Sequence, residues 1–387
     1  MIELCSVYLF FFVLSRSKIK YRTMCFWVVA MFSILGFFYS PTIGADLNLR
    51  FRLLDTIRKY GFETINTDSY WSGELGFKYF MRFVSFFPYN NFLPFFSALI
   101  GYSFIVATIA KIKKIFDFDD NYSKRILLLV LCFVSFDSMV NGIRTQLAFS
   151  ILTYLIVTHL LEKKHIWICF IGYFLCTTIH PACVIPLVIL VLTWMIKNRK
   201  LKTVVIIFAV WPFLLNVILM ILQNFTYIPI LYTIHRMLYD YTLNEKATIN
   251  IVPNLYYAIR MVVRAQGIGV LLLCYSYVNR NTSVVMSRVK SNNKVDFSHL
   301  YVFFVSTCAF MLGGVISYHI FLRTAAFILT FSSVPIGMYF ATGKNRYAIK
   351  ISSNIKISFL SIAALLSFAY NILAYMGHID FAFKLFN

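Results

Sequence analysis

Arginine and histidine side chains lie at the ends of apolar runs in this sequence, where charged groups are rare. Arg144 opens the run 143–161, His180 interrupts a longer run, and Arg323 precedes the run 324–342. A charged group at membrane depth is costly unless it is paired, so it is a candidate for function. Arginine binds phosphate bidentately through its planar guanidinium. The pattern predicts an anionic ligand at the level of the lipid headgroups, with three further binding candidates on the same side: Arg260, Arg264 and His319.

The same positions also have simpler interpretations. Arg144 could extend its side chain to the membrane surface, or pair with Asp137 about two helical turns earlier. His180 precedes Pro181, and a proline alone is enough to end a helix. The residues by themselves leave the ligand-binding and the purely structural interpretation open.

One motif points to a different chemistry. Asp117-Phe118-Asp119 is a D-x-D pattern, which nucleotide-sugar glycosyltransferases use to hold a divalent metal. It lies in a short loop between Lys114 and Lys124, and the sequence shows no soluble α/β domain that would bind a nucleotide. We therefore interpret it as a solvated acidic loop. The eight cysteines lie in apolar stretches without metal-binding spacing, so we expect neither a metal site nor a disulfide framework.

The elements that position these residues are predicted by the composition. The 387 residues are 60% hydrophobic, 18% aromatic and only 13% charged, and their mean hydropathy is +0.75. These values exclude a soluble globular enzyme, a disordered chain and a secreted disulfide scaffold. Because backbone in lipid must satisfy its own hydrogen bonds, the spans are helices. We expect an all-α, polytopic integral membrane protein with about 12 transmembrane helices (range 10–12), at these apolar runs: 2–15, 23–43, 92–110, 126–140, 143–161, 166–180, 182–196, 203–222, 257–278, 300–318, 324–342 and 357–376.

Basic residues give this bundle an orientation. The net charge is +21, and 23 of the 36 lysines and arginines fall in loops that one alternating topology places on a single side. The positive-inside rule makes that side cytoplasmic, with both termini external. We expect a single transmembrane domain over 1–387 and two long external segments, 44–91 and 223–256; the first would carry an interfacial helix over 75–87.

Several short motifs together resemble a known family. They are Asn141-Gly-Ile-Arg144-Thr-Gln146-Leu-Ala148, the basic turn Glu162-Lys-Lys-His165, and Thr178-Ile-His180-Pro-Ala, with Gly44-Ala-Asp46 and Glu74-Leu-Gly-Phe77 upstream and Arg323 downstream. This arrangement resembles the Wzy-type polysaccharide polymerases, in particular their EpsG-like branch. The resemblance covers residues 44–200 best.

The resemblance implies polymerisation of undecaprenyl-pyrophosphate-linked oligosaccharide repeat units, on the external face of the bacterial inner membrane. The product would be an O antigen, a capsule or an exopolysaccharide, made without a metal or cofactor. Donor and acceptor would both be lipid-linked glycans, with membrane lipid around them and a chain-length regulator and a flippase as partners; no nucleic acid is involved. The implied catalytic residues are Arg144, Arg323, His180, Asp46 and Glu74, and the implied substrate-binding residues are Arg260, Arg264, His319, Gln146, Trp71 and Tyr70.

In that chemistry the arginines would bind the pyrophosphate leaving group and stabilise the charge that develops on it. His180, Asp46 or Glu74 would serve as the general base for the acceptor hydroxyl. The residues do not choose among these three bases.

Three other functions compete with this one. An O-antigen ligase-type transferase shares the donor chemistry and the one-sided arginines. A flippase or transporter of lipid-linked oligosaccharide would place its cationic groups along a central cavity reachable from both sides. A cytoplasm-facing glycosyltransferase would use Asp117 and Asp119 with a metal.

Overall fold

The computed structural model describes most of the chain. The described ranges are 2–41, 46–65, 74–163, 165–195, 201–227, 255–287, 297–342 and 350–377, together with residues 231, 232, 235, 236, 239 and 289. Every regular element within these ranges is helical. The all-helical fold class is therefore confirmed.

Eighteen α-helices have both ends within the described residues. In chain order they are α1 Ile2–Arg16, α2 Tyr21–Phe37, α3 Asp46–Tyr60, α4 Leu75–Ser85, α5 Phe92–Phe116, α6 Asp120–Phe133, α7 Phe136–Val140, α8 Ile143–Val157, α9 Ile166–Ile179, α10 Val184–Met195, α11 Leu201–Ala209, α12 Trp211–Gln223, α13 Leu255–Arg280, α14 Thr282–Met286, α15 Phe297–Gly313, α16 Tyr318–Thr330, α17 Ser333–Thr342 and α18 Lys350–Gly377. A π-helical turn over Thr158–Glu162 extends α8, and short 3₁₀ turns occupy Phe62–Ile65, Pro181–Cys183 and Gly314–Ile316.

Several of these helices have the length and apolarity of membrane spans. Phe92–Phe116, Ile143–Glu162 and Ile259–Arg280 each qualify alone, and the pair His319–Thr330 and Ser333–Thr342 qualifies as one span bent by 42°. The chain is thus a helical protein with three or four candidate membrane spans among the described residues. The count of twelve spans and the two external loops stay predictions.

Some apolar runs predicted as single spans are broken helices. The run 126–140 is interrupted after Phe133, because Ser135 caps the next helix by accepting a hydrogen bond from the Ser138 N–H at 3.2 Å. The run 203–222 is interrupted at Val210, and Pro212 follows in the first turn of α12, where its missing N–H is tolerated.

A continuous apolar core joins the helices. α5 packs against α2 and α8, α8 packs against α9, and α13 packs against α17 and α18. The rings of Phe32 on α2 and Tyr102 on α5 stack with centroids 4.3 Å apart. These contacts hold α8, which carries Arg144, between neighbours on several sides.

The first long segment, 44–91, is largely helical where it is described. α4 buries Phe77, Met81 and Val84 against the bundle, so the predicted interfacial helix is packed on the protein along one face. Lys78 shares that buried face, whereas Arg82 is exposed, with its guanidinium 4.9 Å from the centroid of the Phe62 ring. Most of the second segment, 223–256, lies outside the described residues.

The orientation can be tested with reporter fusions. Because short basic loops stay in the cytoplasm, we expect cytoplasmic readings after Lys20, Lys114, Lys200, Lys290 and Arg346. Fusions within 50–70 and 235–250 should give external readings. The measurement is the activity of a dual phosphatase–galactosidase reporter in cells. Two or more inverted readings would contradict the topology.

Candidate functional site

Arg144 forms a buried ion pair at the start of α8. Its Nη1 donates to both carboxylate oxygens of Glu74, at 2.6 and 2.5 Å. The two side chains are 13% and 6% exposed. Removing one partner of such a pair leaves an uncompensated buried charge and typically costs about 3–5 kcal/mol. Glu74 is therefore an ion-pair partner of Arg144. Asp137, the partner considered from the sequence, accepts a hydrogen bond from the Tyr39 hydroxyl at 2.8 Å.

A glycine lets the helix that follows Glu74 approach the end of α9. A Cβ added at Gly76 would lie 2.6 Å from Thr178 Oγ1 and 3.2 Å from the Ile179 backbone nitrogen. Any side chain there would push α4 away from α9. This close approach places Glu74, at the N-terminus of α4, beside the residue that ends α9, which is His180.

His180 lies in the break between α9 and α10, outside both helices, as Pro181 predicted. Its backbone is extended, and Pro181 opens the 3₁₀ turn that leads into α10. The imidazole is 3% exposed, and its Nδ1 is 3.8 Å from Glu74 Oε1, which is too far for a hydrogen bond. Neither ring nitrogen has a hydrogen-bond partner among the described residues.

The charge state of His180 follows from its surroundings. Burial lowers the pKa of the imidazole well below its ordinary value, and the positive charges of Arg323, Arg144 and Arg50 lower it further. The ring is therefore neutral at physiological pH and makes no ion pair with Glu74. A neutral, buried imidazole whose ring nitrogens make no hydrogen bond to the described residues can accept a proton from a bound ligand.

Arg50 belongs to this site, although sequence reasoning missed it. Its side chain is nearly fully buried, and its Nη2 donates to Asp46 Oδ1 at 3.2 Å, one helical turn earlier. The guanidinium carbons of Arg50 and Arg144 each lie 5.9 Å from the centroid of the Phe77 ring. The Phe77 ring can therefore make cation–π interactions with both guanidinium groups, which stabilise their positive charges. Asp46 is exposed and acts here as the partner of Arg50.

Arg323 and two further predicted residues extend the group. The positive charge of Arg323, on α16, interacts electrostatically with the imidazole of His180. The charges of Arg323 and Arg260 both interact with the imidazole of His319. Arginine side chains from α3, α8 and α16 therefore surround the break at His180, and Arg323 links this group to His319 and Arg260. We call this group the arginine cluster; it comprises Arg50, Arg144, Arg260, Arg323, His180, His319, Glu74 and Asp46.

Gln146 and Arg264 make hydrogen bonds between helices. Both are buried and border a small cavity of about 20 Å³, large enough for about one water molecule. Gln146 Nε2 donates to Thr330 Oγ1 at 2.6 Å, and Arg264 Nη1 donates to the Leu322 carbonyl at 2.9 Å. These described contacts tie helices together, and the substrate-binding role of the two residues stays a prediction.

The remaining predicted residues are placed as follows. Trp71 and Tyr70 lie outside the described residues. Asp119 accepts a hydrogen bond from the Tyr122 N–H at 2.8 Å and caps α6, and Asp117 ends α5 in a left-handed conformation. Among the described residues, no three His, Cys, Asp or Glu side chains are grouped to hold a metal ion.

The arginine cluster has the chemistry of an anion site. Within the described part of the chain it brings four guanidinium groups together with two carboxylates and two histidines. A phosphate could replace the Glu74 carboxylate on Arg144, because both ligands accept from a guanidinium fork. Comparison with known proteins finds no matching family model, no matching curated sequence and no matching solved structure.

Proposed function

We propose that this protein polymerises undecaprenyl-pyrophosphate-linked oligosaccharide repeat units into a surface polysaccharide. The observation that carries the proposal is the convergence of Arg50, Arg144 and Arg323 on a neutral, buried histidine at a helix break. The sugar donor already carries a pyrophosphate leaving group. The enzyme must therefore bind that anion and accept one proton, and the cluster offers groups for both tasks.

In the resting protein Glu74 is the counterion of Arg144. When the donor binds, its pyrophosphate takes over the guanidinium, and the Glu74 carboxylate becomes available to His180, 3.8 Å away. A neighbouring negative charge favours the protonated imidazole. Donor binding would thus raise the basicity of His180 at the moment that the acceptor hydroxyl must lose its proton.

The proposed reaction is a single glycosyl transfer. A hydroxyl at the non-reducing end of the acceptor glycan attacks the anomeric carbon of the donor, and a new C–O bond forms. The bond from that carbon to the pyrophosphate oxygen breaks, and undecaprenyl pyrophosphate leaves with the electron pair. His180 takes the hydroxyl proton, and the arginines stabilise the charge on the leaving group.

The proposed location is the bacterial inner membrane, with the cluster at its external face. Arg144 begins the span Ile143–Glu162, and Glu162 at its other end pairs with Lys111 at 2.6 Å. A 20-residue helix covers about 30 Å, the thickness of the hydrocarbon core. The cluster and the basic turn therefore belong to opposite surfaces. A chain-length regulator and a flippase of the same pathway are the proposed partners.

A ligase of the O-antigen type is the second candidate, because it uses the same donor and the same leaving group. The two differ in the acceptor. Purified protein in liposomes should convert a synthetic undecaprenyl-pyrophosphate-linked repeat into oligomers, and release undecaprenyl pyrophosphate, with no other acceptor present. Product length on a gel is the measurement. Transfer only when lipid A is added would identify a ligase, and no transfer under either condition would contradict both.

The D-x-D alternative predicts a strict need for a metal, whereas the proposed chemistry predicts none. We expect the double variant Asp117→Asn with Asp119→Asn to make polymer of nearly normal length, and chelation of divalent metals to leave the purified protein active. Asparagine keeps the helix cap that Asp119 provides, so folding is not disturbed. Loss of activity in both tests would favour the nucleotide-sugar reaction.

A further inference from the structure

A cavity of about 660 Å³ lies at the other end of the bundle from the arginine cluster. α9 and α10 meet at His180 and enclose the cavity further along their length, with the end of α8 and the start of α15 completing its walls. Its volume is within the roughly 300–1,000 Å³ typical of small-ligand pockets. The cavity has no part in the proposed glycosyl transfer.

The walls of this cavity are mostly apolar, and one edge of the cavity is formed by exposed side chains on the outer surface of the bundle. Tyr173 and Leu190 are buried and form its floor, whereas Phe170, Val191 and Trp194 are half or more exposed along its edge. In a membrane these exposed side chains face lipid. A hydrocarbon chain can therefore enter from the bilayer without crossing polar surface.

The polar groups of the cavity include two histidines and Lys163, which marks the end of the cavity next to the π-helical turn. His159 hydrogen-bonds with the Tyr173 hydroxyl at 3.0 Å, and His299 lies 3.2 Å from Thr193 Oγ1. Lys163 follows the π-helical turn in a left-handed conformation and is exposed, and it has no ion-pair partner among the described residues. The cavity thus combines an apolar body with a cation at its mouth.

We propose that this cavity binds a phospholipid with an anionic headgroup, with an acyl chain among the apolar side chains and the phosphate on Lys163. The lipid would come from the leaflet next to the Lys163 turn, which the distribution of basic residues predicts to be cytoplasmic. This inference rests on the membrane location alone and not on the proposed reaction.

The polyprenyl tail of the donor is a less suitable occupant. The residue of α9 nearest His180 that lines the cavity is Tyr173, seven residues before it, or about 10 Å along the helix. On α10 the nearest lining residue is Leu187, also seven residues away. The cavity therefore stops short of the proposed pyrophosphate site and opens at the opposite end.

The test is lipid retention by the full-length protein. Protein purified in mild detergent is incubated with equal amounts of phosphatidylglycerol and phosphatidylcholine of the same chain length, and retained lipids are counted by native mass spectrometry. We expect one retained phosphatidylglycerol, about fivefold weaker retention in Lys163→Gln, and clearly weaker retention in Leu187→Trp, whose larger side chain obstructs the inner end of the cavity. The control Leu192→Trp makes the same change on the exposed face of α10, outside the cavity lining, and should retain lipid like the unchanged protein.

Three results would overturn the proposal. Equal retention in Leu187→Trp and Leu192→Trp would show that the lipid binds elsewhere. Equal retention of the two phospholipids, unchanged in Lys163→Gln, would show that the cavity does not recognise an anionic headgroup. Retention of added undecaprenyl phosphate in place of phosphatidylglycerol, reduced by Leu187→Trp but not by Leu192→Trp, would assign the cavity to the substrate tail. Lys163→Gln keeps the test decisive if Leu187→Trp does not fold.

Discussion

Replacing Arg144 by alanine should lower the rate of polymer formation by about 10²–10³, the typical effect of removing one group that stabilises developing charge. Arg144→Lys should lose most of the activity as well. Lysine keeps the charge, but it lacks the planar guanidinium, whose Nη1 contacts Glu74 in the resting protein and which would bind phosphate oxygens bidentately. The measurement is the initial rate of oligomer formation from a synthetic lipid-linked repeat.

This result must be separated from a loss of folding, because Arg144→Ala leaves the buried Glu74 carboxylate without its guanidinium. The double variant Arg144→Gln with Glu74→Gln removes both charges and keeps hydrogen bonding, so we expect it in the membrane at normal amounts and still inactive. Arg82→Lys is the matched control, since Arg82 is an exposed arginine on α4 that contacts the Phe62 ring. Full activity in Arg144→Lys would mean that Arg144 serves only as the structural ion-pair partner of Glu74.

His180→Ala should abolish polymer, while Pro181 keeps the break between α9 and α10. His180→Gln preserves size and hydrogen bonding but cannot take a proton at neutral pH. If His180 is the base, glutamine should be as inactive as alanine; partial rescue by glutamine would assign it an orienting role. Normal polymer length in both variants would make His180 a turn residue and shift the search for the base to Glu74 and Asp46.

The dependence on pH follows from the lowered pKa of His180. The base form is the neutral one, so a lower pKa moves the loss of kcat/KM in acid to lower pH. In the free enzyme the acid limb should lie below about pH 6.5, the ordinary histidine value. Arg50→Gln removes one of the positive charges that lower this pKa and should move the limb upward, whereas Arg82→Gln should not. An acid limb unmoved by Arg50→Gln would contradict this reading.

The sequence predicted the parts of the site that depend on local rules. Pro181 cannot continue a helix, so the placement of His180 at a break between two apolar helices followed from two adjacent residues, and the structure confirms it. The all-helical class followed from composition. Arg144 at the start of a span was equally visible, because the run 143–161 is otherwise without charge.

The partners of these residues could not be predicted in the same way. Glu74 lies 70 residues before Arg144, and their contact depends on how α4 packs against α9 through Gly76. Arg50 did leave a signal that was missed. It shares one face of α3 with Leu47, Leu54 and Ile57, all of them buried. An arginine at an apolar helical spacing is a candidate for a buried charge.

A protein that joins lipid-linked repeat units controls the length distribution of the cell's surface glycan, which can be measured after deletion of the gene. We expect the ladder of long chains to disappear while a single repeat unit stays attached. Expression of the unchanged protein should restore the ladder, and Arg144→Lys should not. Complete absence of the repeat unit would instead indicate a ligase or a flippase, and an unchanged ladder would contradict the account.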